Sequence, residues 1–83
     1  MKVIKITNTC GACPAQWEGK FDDGDNLYIR YRWGYLEVNK DKDDAVFGKE
    51  VFGKQIGDGL DGTLSYKDLK KEVNNIEFPE SED

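Results

Sequence analysis

Cys10 and Cys13 are the residues of this 83-residue chain whose type and spacing come closest to chemistry. A Cys-x-x-Cys pair fits three arrangements: a redox dithiol, half of a zinc site, or a turn holding two reduced thiols. A thioredoxin-like pair ends a strand and opens a helix, whose dipole lowers the first thiol's pKa. Here Pro14 and a β-type segment follow instead. A structural zinc site takes four ligands, and the chain has two cysteines and no histidine, so carboxylates or a second chain would have to complete it. The reading adopted is a loop whose cysteines pack locally, with no metal and no cofactor. A metal-bridged dimer and regulated disulfide chemistry stay open beside it.

Other motifs have plainer explanations. Residues 61–68, Asp-Gly-Thr-Leu-Ser-Tyr-Lys-Asp, match the second half of a calcium-binding loop, but the positions that should supply its first oxygen ligands are Gly57 and Gly59. Ser65 followed by Asp68 is better read as a helix cap. Gly57-x-Gly59-x-x-Gly62 has dinucleotide spacing in a chain too short for a Rossmann unit. Without histidine, Ser/His and Cys/His nucleophile pairs are excluded, and no enzyme is expected.

Seventeen acids against twelve bases give a net charge of −5. A phosphate backbone calls for a basic stripe, so direct nucleic-acid binding is not expected. A basic protein surface, such as that of a nucleic-acid-binding protein, is the better match. No apolar run approaches the roughly 18 residues of a membrane span and none has the form of a signal peptide, so the expected setting is the cytoplasm of a host cell. Two cysteines are too few for a secreted disulfide scaffold.

The elements that must position any site centre on residues 27–38. This stretch holds three of the four tyrosines and both arginines, with apolar and charged residues alternating. Leu27, Ile29, Tyr31 and Trp33 fall on one side, and Tyr28, Arg30 and Arg32 on the other. A two-residue turn at Trp33-Gly34 pairs Ile29 with Val38, Tyr31 with Leu36, Arg30 with Glu37 and Arg32 with Tyr35. Tryptophan suits a primed turn poorly, and a three- or four-residue loop is the alternative. A slip of one residue would make both faces apolar. Upstream, Asp22-Asp23-Gly24-Asp25-Asn26 is turn chemistry. Pairing Phe21 with Leu27 across it sets Trp17 against Tyr31, Glu18 against Arg30 and Gln16 against Arg32. Arg30 would then sit between Glu18 and Glu37, leaving Arg32 the freer cation.

Around this hairpin the pattern gives a first strand at residues 2–7, with Ile4 and Ile6 on the same side. A solvated charged loop follows at 39–44. Then comes a five-residue repeat, Val46-Phe47-Gly48-Lys49-Glu50 and Val51-Phe52-Gly53-Lys54-Gln55, read as a turn or bulge leading into a strand at 50–56. Ser65 caps a helix whose buried stripe is Leu69 and Val73, with Leu64 and Leu69 forming a hydrophobic staple. Ile76 and Phe78 pack back on the sheet. The expected architecture is α+β: one domain over residues 1–78, a curved antiparallel sheet of four to five strands with one C-terminal helix, then an acidic disordered tail at 79–83. The buried face comprises Trp17, Phe21, Ile29, Tyr31, Leu36 and Val38.

The motifs at residues 10–19, Cys-Gly-Ala-Cys-Pro-Ala-Gln-Trp-Glu-Gly, and 28–34, Tyr-Ile-Arg-Tyr-Arg-Trp-Gly, resemble small uncharacterised proteins of bacteriophages and other mobile elements. Residues 55–69 look like the C-terminal piece of some members. The resemblance implies an accessory protein of a mobile element. By analogy with small acidic accessory proteins, the expectation is one that binds and blocks a host protein, CRISPR–Cas effectors included, with a structural phage component as the alternative. On the residues themselves, the expected contact surface is the polar face carrying Tyr28, Arg32 and Tyr35. Tyrosine and arginine dominate interface energetics. The acidic residues Asp22, Asp23, Asp25, Asp43 and Asp44 are placed beside it. The chain is expected as a monomer or weak dimer.

Overall fold

Segments that alternate apolar and charged side chains form strands when one face can be buried and the other wetted. The computed structural model describes residues 1–10, 15–43, 48–57 and 63–82. Five strands run in chain order: β1 (Val3–Cys10), β2 (Ala15–Phe21), β3 (Asn26–Arg32), β4 (Tyr35–Asp41) and β5 (Lys49–Gln55). They form one open antiparallel sheet in the order β1-β2-β3-β4-β5, with β3 at its centre. A short helix, α1 (Tyr66–Glu72), follows. The architecture is therefore mostly sheet with a minor helical share.

The β3–β4 hairpin has the expected register: Ile29 faces Val38, Arg30 faces Glu37, Tyr31 faces Leu36 and Arg32 faces Tyr35. The β2–β3 register differs from expectation by two residues. Trp17 faces Ile29, Glu18 faces Tyr28 and Gln16 faces Arg30. The reason lies in the turn. Gly24, at φ 93°, takes a left-handed position, Gly24 N–H donates to the Phe21 carbonyl at 3.0 Å, and Phe21 N–H donates to the Asp25 carbonyl at 2.9 Å. This is a three-residue hairpin loop with glycine where positive φ is needed. It closes the hairpin at residues 21 and 25 rather than 21 and 27. A shift of two residues preserves both faces, so the buried set is unchanged while the polar partners move. Arg30 has Glu37 on one side and Gln16, not Glu18, on the other.

Ile4 and Ile6 do not share a face. The β1–β2 register shifts between Val3 and Lys5, leaving Ile4 as the extra residue of a bulge. Val3 and Ile6 are buried, while Ile4 is 58% exposed. β1 lies close over β2 here, and a Cβ at Gly19 would overlap the Lys5 carbonyl. Glycine at this strand position is what lets the two backbones approach. β5 begins at Lys49 and contains the bulge, at Val51, because Val38 pairs with Phe52 and Asn39 with Glu50. That extra residue lets both Val51 and Phe52 pack against the core.

Ser65 caps α1, its side chain accepting the Asp68 N–H at 3.1 Å. Leu69, Val73 and Ile76 join Trp17, Phe21, Ile29, Tyr31, Leu36 and Val38 in one buried cluster, with Leu64, Tyr66 and Phe78 packed at its margin. The segment expected as part of an acidic tail carries contacts. Trp17 Nε1 donates to Glu82 at 2.5 Å, the Tyr66 hydroxyl to the Pro79 carbonyl at 2.5 Å, and Lys70 Nζ to the Glu80 carbonyl at 2.8 Å. Glu77 also bridges the outer edge of β1, accepting from Val3 N–H at 2.7 Å.

The bulge makes two neighbouring isoleucines unequal. Ile6→Ala should cost about 2–5 kcal/mol through the cavity it leaves. Ile4→Ala, on an exposed side chain, should stay within about 0.5 kcal/mol. Denaturant unfolding of the two variants measures the difference, and equal losses would contradict the bulge.

Candidate protein-binding surface

A two-residue hairpin turn that matches strand twist needs positive φ at both central residues. Trp33 and Gly34 supply φ values of 53° and 75°. Glycine adopts this region freely, whereas tryptophan there carries strain on the order of 1 kcal/mol. The turn is braced from β5 and the residues after it. Ile56 N–H and Gly57 N–H donate to the Gly34 carbonyl at 2.8 and 3.1 Å. Gln55 Nε2 donates to the Trp33 carbonyl at 3.0 Å and to the Gly57 carbonyl at 2.8 Å. Trp33 is 62% exposed. The Arg32 guanidinium lies over it, 4.0 Å from the ring centroid. Across the ladder from Arg32, the half-buried Tyr35 donates its hydroxyl to Glu50 at 3.0 Å, and this bond is the main cause of the raised Tyr35 pKa.

Farther along the polar face the side chains support one another. Arg30 pairs with Glu37 at 3.5 Å, and Asn39 Nδ2 donates to the other Glu37 oxygen at 2.8 Å. Tyr28, expected to offer contact area, is only 8% exposed, and burial raises its hydroxyl pKa. Of the expected contact residues on this face, Arg32 and Tyr35 stand together at the hairpin tip. Trp33 was not among them, because strict alternation assigns it to the apolar side. The signal in the sequence was a tryptophan at a turn position that ordinarily takes Asn or Gly.

The acidic residues lie at the other end of β3. Arg32 lies six positions from Asn26, about 20 Å of strand. Asp23 and Asp25 converge on Lys40, at 2.7 and 2.5 Å. Asp23 also accepts the Asp25 N–H at 3.1 Å, closing the loop on itself. Asp22 is exposed. Asp43 N–H bonds the Asp41 carboxylate at 3.0 Å, and its carbonyl accepts from Asn26 at 2.9 Å. The acidic group and the Arg32–Tyr35 tip therefore do not form one patch. Asp44, Cys13 and the side chain of Cys10 lie outside the described residues, as does most of the glycine-rich segment 57–62. No group of three or more metal-ligating side chains occurs among the described residues, and no helix among them is long and apolar enough to cross a membrane. No family, curated protein or solved structure matches this chain.

The Lys40 pair fixes a pH dependence. The hydrogen bond from Lys40 holds the Asp23 carboxyl below its ordinary 3.8, and the same contact, with that from Asp25, raises Lys40 above 10.5. A lowered carboxyl stabilises the fold above its unfolded pKa, and that contribution is lost as pH falls through the folded value. A raised ammonium stabilises below its unfolded pKa, and its contribution is lost as pH rises through the folded value. Lys40→Met should therefore lower the melting temperature between these limits and flatten the loss of stability below pH about 4. Parallel curves for wild type and variant in thermal melts across pH would rule the coupling out.

Proposed function

We propose that the chain is a non-enzymatic protein-binding module that presents the hairpin tip Arg32-Trp33-Gly34-Tyr35 to a partner protein. The observation that carries this reading is the exposed Trp33 indole, held on a left-handed backbone by hydrogen bonds from β5 and stacked under Arg32. Trp, Tyr and Arg are the residue types that supply interface hot spots. Strain retained at a surface residue points toward function rather than stability. Leu69 and Val73 of the α1 region join the core on the apolar face, while Trp33 at the β3–β4 turn stays exposed. The acidic loop at 22–25 acts at longer range, speeding encounter with a basic partner surface in a salt-sensitive way. The net charge of −5 and the resemblance to mobile-element proteins direct the search to bacterial host proteins that handle nucleic acid, CRISPR–Cas effectors among them.

Trp33→Gly separates stability from function. It relieves the left-handed strain, so the melting temperature should hold or rise. It removes the indole, so a partner captured from bacterial lysate by the immobilised wild-type chain should bind about 2 kcal/mol or more weaker, on the order of 30-fold. Captured proteins retained equally by wild type, Trp33→Gly and Arg32→Ala/Tyr35→Ala would overturn the assignment of the tip as the contact surface.

A further inference from the structure

Of the cations on the central strands β3 and β4, Arg32 is the one that makes no ion pair among the described residues. Arg30 is paired with Glu37, and Lys40 with Asp23 and Asp25. The Arg32 guanidinium lies over the Trp33 ring. A guanidinium held over a ring and not ion-paired keeps N–H donors that can make two parallel hydrogen bonds to a carboxylate. The ring contact also restricts the side chain before any ligand arrives, so less rotamer freedom is lost on binding.

Resting on the reading of the tip as the contact surface, we infer that its partner presents a carboxylate beside an apolar slot. The slot takes the Trp33 indole, and the carboxylate takes the edge of Arg32. A phosphate backbone is the other ligand an arginine and an exposed tryptophan could suit. The surroundings favour the single carboxylate. Glu50 is bonded to Tyr35 directly across the ladder from Arg32, and Glu37 faces Arg30 two residues away. A chain of phosphates would have to pass these acids on a protein of charge −5, whereas one carboxylate meets Arg32 alone.

A randomised displayed-peptide library, panned on the immobilised wild-type chain, supplies the probe. Enriched peptides should carry Asp or Glu beside a large apolar residue. Their affinity should fall about tenfold or more on Arg32→Ala and on Trp33→Ala. Arg32→Lys should restore only part of it, because an ammonium cannot make the paired bonds. Enriched peptides that lack acids, or that bind Arg32→Ala as well as wild type, overturn the inference. So does oligothymidylate binding more tightly than any selected peptide. A lysate partner lost with Trp33→Gly but indifferent to Arg32→Ala would overturn the carboxylate while leaving the tip as the contact surface. Indifference to both would overturn the tip itself.

Discussion

The pleat of β3 is the constraint on which the rest depends. β3 is flanked on both sides, and its side chains alternate strictly between two faces. A chain of this size builds one core, so one row of β3 goes inward and the other stays with the polar groups. Leu27, Ile29 and Tyr31 form the inward row, and all three are buried. The ladders then carry the choice outward. Val38 and Leu36 on β4, and Trp17 on β2, must follow Ile29 and Tyr31 to the same side. Leu69, Val73 and Ile76 have that side to cover.

What the sequence made legible follows the same logic. The faces and the β3–β4 register were readable because a one-residue error would have exposed the core row. The β2–β3 register was not, because an error of two residues leaves every face correct. Only the turn could settle it, and Gly24 closes a shorter loop than the polar run suggests. Ile4 was misread for a related reason. Alternation counts residues, and a bulge inserts one without changing the chemistry on either side. The cross-strand neighbourhood of Arg32 and Tyr35 was readable, while Tyr28 is buried and the acidic residues lie at the other end of β3.

Trp17 shows how one buried donor reaches across the chain. Its ring belongs to the core, and its indole N–H still needs an acceptor, since an unmet buried donor costs about 1–3 kcal/mol. Glu82 meets it. Composition alone gives residues 79–83 the look of a solvated acidic tail. The demand that Glu82 meets comes from a residue 65 positions earlier, and nothing local to Glu82 records it.

The same accounting applies, with opposite sign, to Trp33. Asn-Gly would satisfy this turn without strain, and β5 already braces it through Gln55 and the residues that follow. The bracing therefore supports a geometry that tryptophan disfavours, in a position where the indole gains little burial. Folding fixes the backbone, and the Arg32 contact limits the side chain, so the tip is ordered before any ligand arrives. Ordering entropy is a main opposing term in association. On the proposal that the tip is a contact surface, a strained, exposed aromatic on this hairpin makes physical sense: the strain is borne during folding and lowers the cost of binding.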